Sequence, residues 1–272
     1  HLANEITGVD PIWIGKDFEY NEKTSIKGAF INELNKEGDF RSPPDLILSA
    51  HTFEHIPDMY EHFKMLYEIS SDKSRFIIEL PCLDTMIETK RFDQVFHQHL
   101  QHISINSMIT LIDRLGCEYV DHKFNYGYWG GTLLFCFDKD ISKANISNPS
   151  QTKPEIEIIH KNFHEFKMSL ESTKNYCEQS ENVYGFGAAQ MLPLVAHHMD
   201  SNLNFLDGII DDNPDRVGTF LPDVSAEIVS SDTIEFIEDT TILITALDST
   251  RPILKRLLDL SPRRILNPLN IF

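Results

Sequence analysis

Asp45-Leu46-Ile47-Leu48-Ser49-Ala50 is an apolar run that follows the chain breaker Pro43-Pro44. Arg75-Phe76-Ile77-Ile78-Glu79-Leu80 is a second such run, and it stops at Pro81. Residues 58–70 lie between the two runs and repeat apolar side chains at helical spacing: Met59, Phe63, Leu66 and Ile69. A strand–helix–strand unit with continuous apolar strands is typical of a parallel sheet covered on both faces. We therefore predict an α/β fold with a doubly wound sheet.

The strand and helix patterns continue on both sides of this unit. The predicted elements around it are a strand over residues 5–9, a helix over 24–35, a helix over 104–115, and two strands over 118–124 and 132–137. We therefore assign residues 1–140 to one partial Rossmann-like domain.

A second α/β unit follows a connecting segment. Residues 141–153 are rich in Ser, Asn and Pro, and residues 154–179 predict one long helix, so we assign 141–180 to a linker and a linker helix. The later predicted elements are a strand, glycine turn and helix over 181–199, strands over 205–210, 241–246 and 264–266, and a helix over 252–260. Residues 181–272 therefore predict a second, smaller Rossmann-like α/β domain.

Composition and charge exclude several classes of partner. The 272 residues include 24 Lys and Arg against 42 Asp and Glu, which gives a formal net charge of −18. This charge repels polyphosphate, so we expect neither nucleic acid nor an anionic membrane as partner. The four cysteines are far apart and lie in apolar surroundings, which favours reduced thiols and a cytoplasmic location. Because the chain begins without Met and runs directly into a strand, we expect a further segment before it.

Three histidines fall within the segment Phe92-Asp93-Gln94-Val95-Phe96-His97-Gln98-His99-Leu100-Gln101-His102-Ile103-Ser104. If this segment is extended, His97 and His99 point to the same side, because side chains alternate along a strand. Imidazoles act as general bases or metal ligands, but they are also ordinary core or surface residues. No carboxylate or Cys completes an obvious ligand set with these histidines, so we predict no metal site.

Polar residues follow two of the predicted strands at their carboxyl ends, where open α/β sheets bind ligands. Ala50-His51-Thr52 leaves the second strand at this edge, and His51 is the stronger candidate of the two histidines in residues 50–58. Glu54 and His55 are equally consistent with the start of a helix. Asp10 ends the first strand, where a carboxylate either accepts the hydroxyls of a ribose or caps the next turn.

Gly185-Phe186-Gly187 follows a predicted strand and precedes a helix, as phosphate-binding glycine turns do. The signal is weak because Gln190 occupies the place of the third glycine. An acidic residue ends the next strand at Asp211, but Asp212 beside it repels a phosphate-rich cofactor. We favour a structural turn or a substrate-facing loop over a site for NAD.

Several motifs occur in the order found in one enzyme family. They are Gly8-Val9-Asp10-Pro11 and residues 49–58, 76–81, 92–99, 116–121, 129–133, 184–189 and 210–218. Together they resemble the class I S-adenosylmethionine-dependent methyltransferases. Within that class they are similar to the sugar C-methyltransferases, which methylate carbon 3 of nucleotide-linked 4-keto deoxysugars. The resemblance covers nearly the whole chain.

The resemblance implies a fold, a cofactor and site residues. Asp10 would hold the ribose of S-adenosylmethionine, and Ala50, His51 and Thr52 would border its adenosine and methyl group. His99 matches the family's base, with Gln98 and His51 as further catalytic candidates. The implied substrate-binding residues for a nucleotide sugar are Glu79, Phe96, Trp129, Gly130, Gly185 and Gly187. The family's zinc module and first glycine-rich strand-turn have no counterpart in this sequence, and residues 1–140 would be the later portion of the methyltransferase domain.

Three departures from the family pattern bear on activity. Phe96 and Gln98 stand where the family often has Tyr and Glu, and Trp129 stands where it has His. Each change removes an ionisable or proton-donating group. Two alternatives to the methyltransferase therefore stay open: a sugar-nucleotide oxidoreductase that uses the Gly185-Phe186-Gly187 turn, and a catalytically degenerate binding relic. The oligomeric state is not predicted.

Overall fold

The computed structural model describes residues 3–35, 38–127, 131–139, 156–233 and 237–269. The chain divides into two compact units. Unit 1 comprises His1–Glu79, Asn106–Lys123 and Leu134–Ser150, and unit 2 comprises Leu80–Ile105, Phe124–Leu133 and Gln151–Phe272. The domain limits at residues 140 and 180 stay predictions.

The first sheet has three strands in the order β1 (Ile6–Val9), β3 (Thr24–Lys27), β2 (Phe18–Asn21). Strand β3 pairs in parallel with β1 and antiparallel with β2. The helix predicted over residues 24–35 is therefore wrong. The Asn21 side chain accepts a hydrogen bond from the Lys23 amide at 2.9 Å, which closes a tight turn, and the β-branched residues of β3 suit a strand.

The second sheet has four strands in the order β4 (Leu46–Ala50), β5 (Arg75–Pro81), β7 (Thr132–Asp138), β6 (Glu118–Asn125). Strands β4 and β5 are parallel. The helices of this part of the chain are α1 (Met59–Ile69), α2 (Leu83–Thr89) and α3 (Ile105–Arg114). The predicted strand–helix–strand unit is confirmed, with Asp58 capping α1 through a 3.1 Å hydrogen bond from the Glu61 amide.

Strand β4 lies at the edge of its sheet, because β5 is its neighbour on one side and the strand order ends there. Leu46 is 51% exposed and Leu48 is 67% exposed. The prediction that this apolar run is covered on both faces is wrong for the described part of the chain. The apolar character of the run identified a strand but not its position within the sheet.

Unit 2 contains a five-stranded parallel sheet in the order β10 (Ile228–Val229), β9 (Gly208–Ile210), β8 (Val183–Phe186), β11 (Thr241–Ile244), β12 (Arg264–Leu266). The chain moves outward from β8 through β9 to β10 and then returns to β11 on the other side of β8. This reversal is the topological switch point of a doubly wound fold. The predicted Rossmann-like domain is confirmed, and β10 is the strand that was not predicted.

The helices of this region are α4 (Ile156–Glu178), α5 (Leu192–His198) and α6 (Thr250–Leu260). Phe166 and Leu170 of α4 are fully buried in a core that also includes Met86 of α2 and Phe92. The predicted linker helix is therefore a core element of unit 2. Among the described residues no helix combines the length and apolarity that crossing a membrane requires. The four cysteines are free thiols, as predicted.

We expect Phe166→Ala to destabilise unit 2 by about 3–5 kcal/mol, because it leaves a cavity in the core. Phe163→Ala is the matched control, because Phe163 lies on the same helix with its ring partly exposed. Urea unfolding followed by circular dichroism gives the comparison. Equal midpoints for the two variants would contradict the assignment of α4 to the core.

Candidate active site

The carboxyl ends of β4 and β5 bring several predicted site residues together in unit 1. Ala50 is the last residue of β4 and lies opposite Glu79 of β5. The His51 amide donates a 3.0 Å hydrogen bond to the Glu79 carbonyl, and the Thr52 hydroxyl donates to the Ala50 carbonyl at 3.2 Å. Residues predicted from the sequence to bind cofactor and substrate therefore share one strand edge.

His51 has an unusual backbone conformation, with φ at +51°. A residue with a Cβ in this left-handed region is strained, and such strain is concentrated at functional sites. The conformation turns the chain sharply at the end of β4. It brings the His51 Nδ1 atom to 3.2 Å from Oε1 of Glu54.

Glu54 is a site residue whose burial the sequence did not reveal. Its side chain is 2% exposed, and Oε1 also lies 4.0 Å from Nε2 of His55. The second oxygen, Oε2, is buried and makes no hydrogen bond within the described part of the chain. The signal in the sequence is an acidic residue with one histidine three residues before it and another directly after it, a pattern that is equally consistent with the start of a helix.

Asp10 caps a turn. Its Oδ1 atom accepts a 2.9 Å hydrogen bond from the Ile12 amide and begins a short 3-10 turn at Pro11–Trp13. The capping alternative is therefore confirmed for one carboxylate oxygen. The other oxygen has no hydrogen bond in the part of the chain that the structure describes. The binding of ribose by Asp10 stays a prediction.

The histidine-rich segment of unit 2 is not extended, so the condition under which His97 and His99 would point to the same side is not met. A 3-10 turn covers Phe92–Gln94, and the His99 amide then donates to the Phe96 carbonyl at 3.0 Å. This turn replaces the alternation of a strand. His97 is exposed, whereas His99 is buried, so the two rings do not share an environment.

His99 is the best enclosed of the three histidines, with 7% of its surface exposed. Its ring lies 4.2 Å from the Phe96 ring and 6.2 Å from the His102 ring, measured between centroids. Burial lowers the pKa of His102, which keeps that ring neutral near neutral pH.

Gln98, the other catalytic candidate of this segment, is exposed. Trp129 and Gly130 lie outside the described residues.

A buried ion cluster begins this segment. Arg91 forms a bidentate pair with Asp93 at 2.8 Å for each bond, and its Nη2 atom donates to Asp248 at 2.5 Å. Burial acts to lower the pKa of Arg91, but the charges of the two carboxylates outweigh it and the pKa is raised. Asp248 belongs to the turn after β11, so the cluster ties the start of the histidine segment to the carboxyl edge of the parallel sheet.

The glycine turn after β8 is closed by the protein itself. Gly187 has φ at +98°, and a Cβ there would lie 2.4 Å from the Cβ of Ala246. The amides of Gly187 and Ala188 donate to the Ile210 carbonyl at 2.7 Å and to the Asp211 carboxylate at 2.8 Å. A phosphate would have to displace Asp211 from this turn. Gly185 packs inside the sheet, where a Cβ would lie 3.0 Å from the Thr245 side chain.

The buried cysteines do not suit nucleophilic catalysis. Burial raises the pKa of Cys117 to about 12 and that of Cys177 to about 11. A thiol with such a pKa is almost entirely protonated at neutral pH. The imidazoles and carboxylates described above are therefore the better candidates for chemistry.

We expect Arg91→Leu to destabilise unit 2 by about 3–5 kcal/mol, because it leaves buried Asp93 without its counter-charge. Arg75→Leu is the matched control: Arg75 also forms a bidentate pair with an aspartate, Asp138, but at the surface, so little change is expected. Thermal unfolding of both variants measures the difference. Similar melting temperatures would count against the importance of the buried cluster.

We expect no saturable binding of NADH, since the amides of the Gly187 turn are already hydrogen-bonded within the protein. A fluorescence titration of the chain with NADH measures this. Saturable quenching of NADH fluorescence that changes in the Arg216→Ala variant would contradict this expectation. Arg216 reports on this turn because it donates to the Ala188 carbonyl at 2.8 Å and supports the closed conformation.

Comparison with known proteins finds similarities for the N-terminal part of the chain. Residues 2–122 match the family model described as "Methyltransferase domain". A C-methyltransferase of Streptomyces niveus, NovU, is 27% identical over 112 residues, which are 41% of this chain and 27% of that protein. The matched region thus spans about a quarter of the length of that curated relative.

Solved structures give weaker similarities. A putative S-adenosylmethionine-dependent methyltransferase from Listeria monocytogenes is 11% identical, with a TM-score of 0.38 over 51% of this chain and 81% of that one. The N-methyltransferase NodS from Bradyrhizobium japonicum, solved with S-adenosyl-L-homocysteine, is 16% identical, with a TM-score of 0.36 over 49% of this chain and 66% of that one. TM-scores this low support no conclusion about function. Residues 2–122 of this chain are thus similar to the methyltransferase domain family.

Proposed function

We propose that the protein is an S-adenosylmethionine-dependent methyltransferase that methylates a carbon of a nucleotide-linked keto-deoxysugar, with His99 as general base. The observation that carries this proposal is the methyltransferase domain match over residues 2–122. The partial similarity to a protein named C-methyltransferase favours carbon as the acceptor atom.

The cofactor site that we propose lies at the carboxyl ends of the strands of unit 1. Asp10 retains one carboxylate oxygen that can accept a hydrogen bond from a ribose hydroxyl. Ala50, His51 and Thr52 leave β4 at the edge where open α/β sheets bind ligands. S-adenosylmethionine supplies the methyl group as part of a sulfonium ion, and these residues bind and orient it.

The reaction begins with removal of a proton from the carbon beside the substrate ketone. His99 accepts this proton, and the electron pair of the broken C–H bond forms an enolate. The enolate carbon then attacks the methyl group, so that a C–C bond forms while the C–S bond breaks and leaves a thioether. The enclosed ring of His99 suits this role, because few water molecules reach it.

The substrate-binding residues that we propose are Glu79, Phe96, Trp129, Gly130, Gly185 and Gly187. Glu79 stands at the strand edge, and the backbone at Gly187 is partly exposed. The free cysteines fit the proposed cytoplasmic location. The net charge of −18 favours a small substrate over nucleic acid or an anionic membrane surface.

A binding protein without turnover is the second candidate. Phe96 lies against His99 and offers no hydroxyl, and exposed Gln98 carries no charge, so neither residue helps to stabilise a protonated imidazole. Binding of S-adenosylmethionine without methylation of any candidate sugar would favour this function. Calorimetric titration with the cofactor, together with mass spectrometry of the sugars, separates the two candidates.

We expect His99→Ala to lower the turnover number by about 10²–10⁴-fold, the usual contribution of a positioned general base. Binding of S-adenosylmethionine should be retained. Mass spectrometry of nucleotide sugars incubated with isotopically labelled methyl donor measures the rate, and calorimetry measures the binding. His97→Ala is the matched control, since His97 is exposed in the same turn. Unchanged turnover in His99→Ala would exclude His99 as the base.

A further inference from the structure

Arg91 has one more carboxylate partner than charge balance requires. Asp93 already forms a bidentate pair with the guanidinium, with both bonds at 2.8 Å, and each of these two side chains is 1% exposed. This pair alone neutralises the buried charge. Asp248 adds a second carboxylate 2.5 Å from Nη2 of Arg91, and it comes from a turn 157 residues later. Charge balance therefore does not explain Asp248, whereas a tether between two distant segments of unit 2 does.

The turn that carries Asp248 is well packed. It covers Leu247–Ser249, and Leu247 is 4% exposed in the same core as Phe92. The hydroxyl of Thr250, which is 3% exposed, donates to the Leu247 carbonyl at 2.8 Å. A side chain on such a support holds its partner in a defined place.

The segment with His99 is held mainly at its two ends. The Arg91 cluster lies at its start, and the Leu83 amide donates a 2.9 Å hydrogen bond to the Ile103 carbonyl near its end. Residues 95–102, all of which the structure describes, include neither a helix nor a strand. The position of His99 between the two ends therefore depends on how firmly each end is held.

We propose that Asp248 is a positioning residue for His99: through Arg91 it holds the segment so that the imidazole lies where the substrate proton is removed. This proposal rests on the proposed function, because it concerns the same base. Misplacing a reacting group by about 1 Å can lower a rate by about 100-fold, even when the altered residue is far from the chemistry.

We expect Asp248→Ala to lower the turnover number by about 10–100-fold, because a loosened segment misplaces the base. Binding of S-adenosylmethionine should be unchanged, since the cofactor site that we propose lies in unit 1. Mass spectrometry of the candidate sugars and calorimetry with the cofactor measure the two quantities. Asp212→Ala is the matched control: Asp212 also pairs with an arginine, Arg256, but both side chains are largely exposed, so turnover should not change.

A double variant separates positioning from a general structural role. If Asp248 acts through the imidazole, Asp248→Ala should cause little further loss of turnover in a chain that already carries His99→Ala. Two results would overturn the proposal. One is unchanged turnover in Asp248→Ala, and the other is an equal loss with and without His99.

Hydrogen–deuterium exchange tests the tether without any substrate. Peptides that cover residues 92–104 should exchange faster in Asp248→Ala than in the unchanged chain or in Asp212→Ala. Exchange that stays the same would overturn the proposal even in a chain without turnover. Absence of turnover in the unchanged chain, combined with faster exchange in Asp248→Ala, would instead count against the proposed function and support the tether.

Circular dichroism checks the fold of each variant. If Asp248→Ala does not fold, Asp248→Asn takes its place, because it keeps an oxygen that accepts a hydrogen bond from Arg91 and leaves the neutral pair with Asp93 intact. A hydrogen bond to a neutral acceptor is about half as strong as one to a carboxylate. We therefore expect the same changes in turnover and exchange in Asp248→Asn, but smaller ones.

Discussion

The buried guanidinium of Arg91 is the constraint on which the arrangement of unit 2 most depends. It joins Asp93, two residues away and equally buried, to Asp248, 157 residues away and partly exposed. Such a charge is tolerated only where its partners are held in place. The cluster therefore fixes the segment that carries His99 against the turn that follows β11. The position of His99 is set by this ion pairing and by the packing of Phe92 in the core.

Hydrogen bonds within the protein also determine whether the glycine turn at Gly187 can bind a phosphate group. In a dinucleotide site, the amides after the first strand are free to bind phosphate. Here the carboxylate of Asp211 occupies the Ala188 amide, and the Ile210 carbonyl accepts from Gly187. The acidic residue that ends the next strand, Asp211, thus closes the turn. A glycine motif alone does not distinguish these two arrangements.

Much of the fold could be predicted from local patterns. The continuous apolar runs at β4 and β5 and the helical spacing of α1 identified a parallel unit, and the strand–turn–helix around Gly187 identified the second domain. The helix predicted over residues 24–35 failed because the turn at Asn21 and the pairing of β3 with two strands outweighed a helical spacing of apolar residues. The alternation of His97 and His99 assumed a strand, whereas a 3-10 turn and a hydrogen bond from the His99 amide to the Phe96 carbonyl bend this segment. Glu54 could not be identified as buried, since its burial depends on the course of the chain after the left-handed turn at His51.

The open edge of β4 has a consequence for handling the protein. Leu46 and Leu48 are exposed beside a row of backbone groups that no described strand pairs on that side. Natural sheets usually protect such an edge with lysine, proline or a bulge, and here Pro43-Pro44 precedes the strand without interrupting it. Aggregation in concentrated samples is therefore expected to begin at this strand, and a charged residue in place of Leu48 is the simplest way to improve solubility.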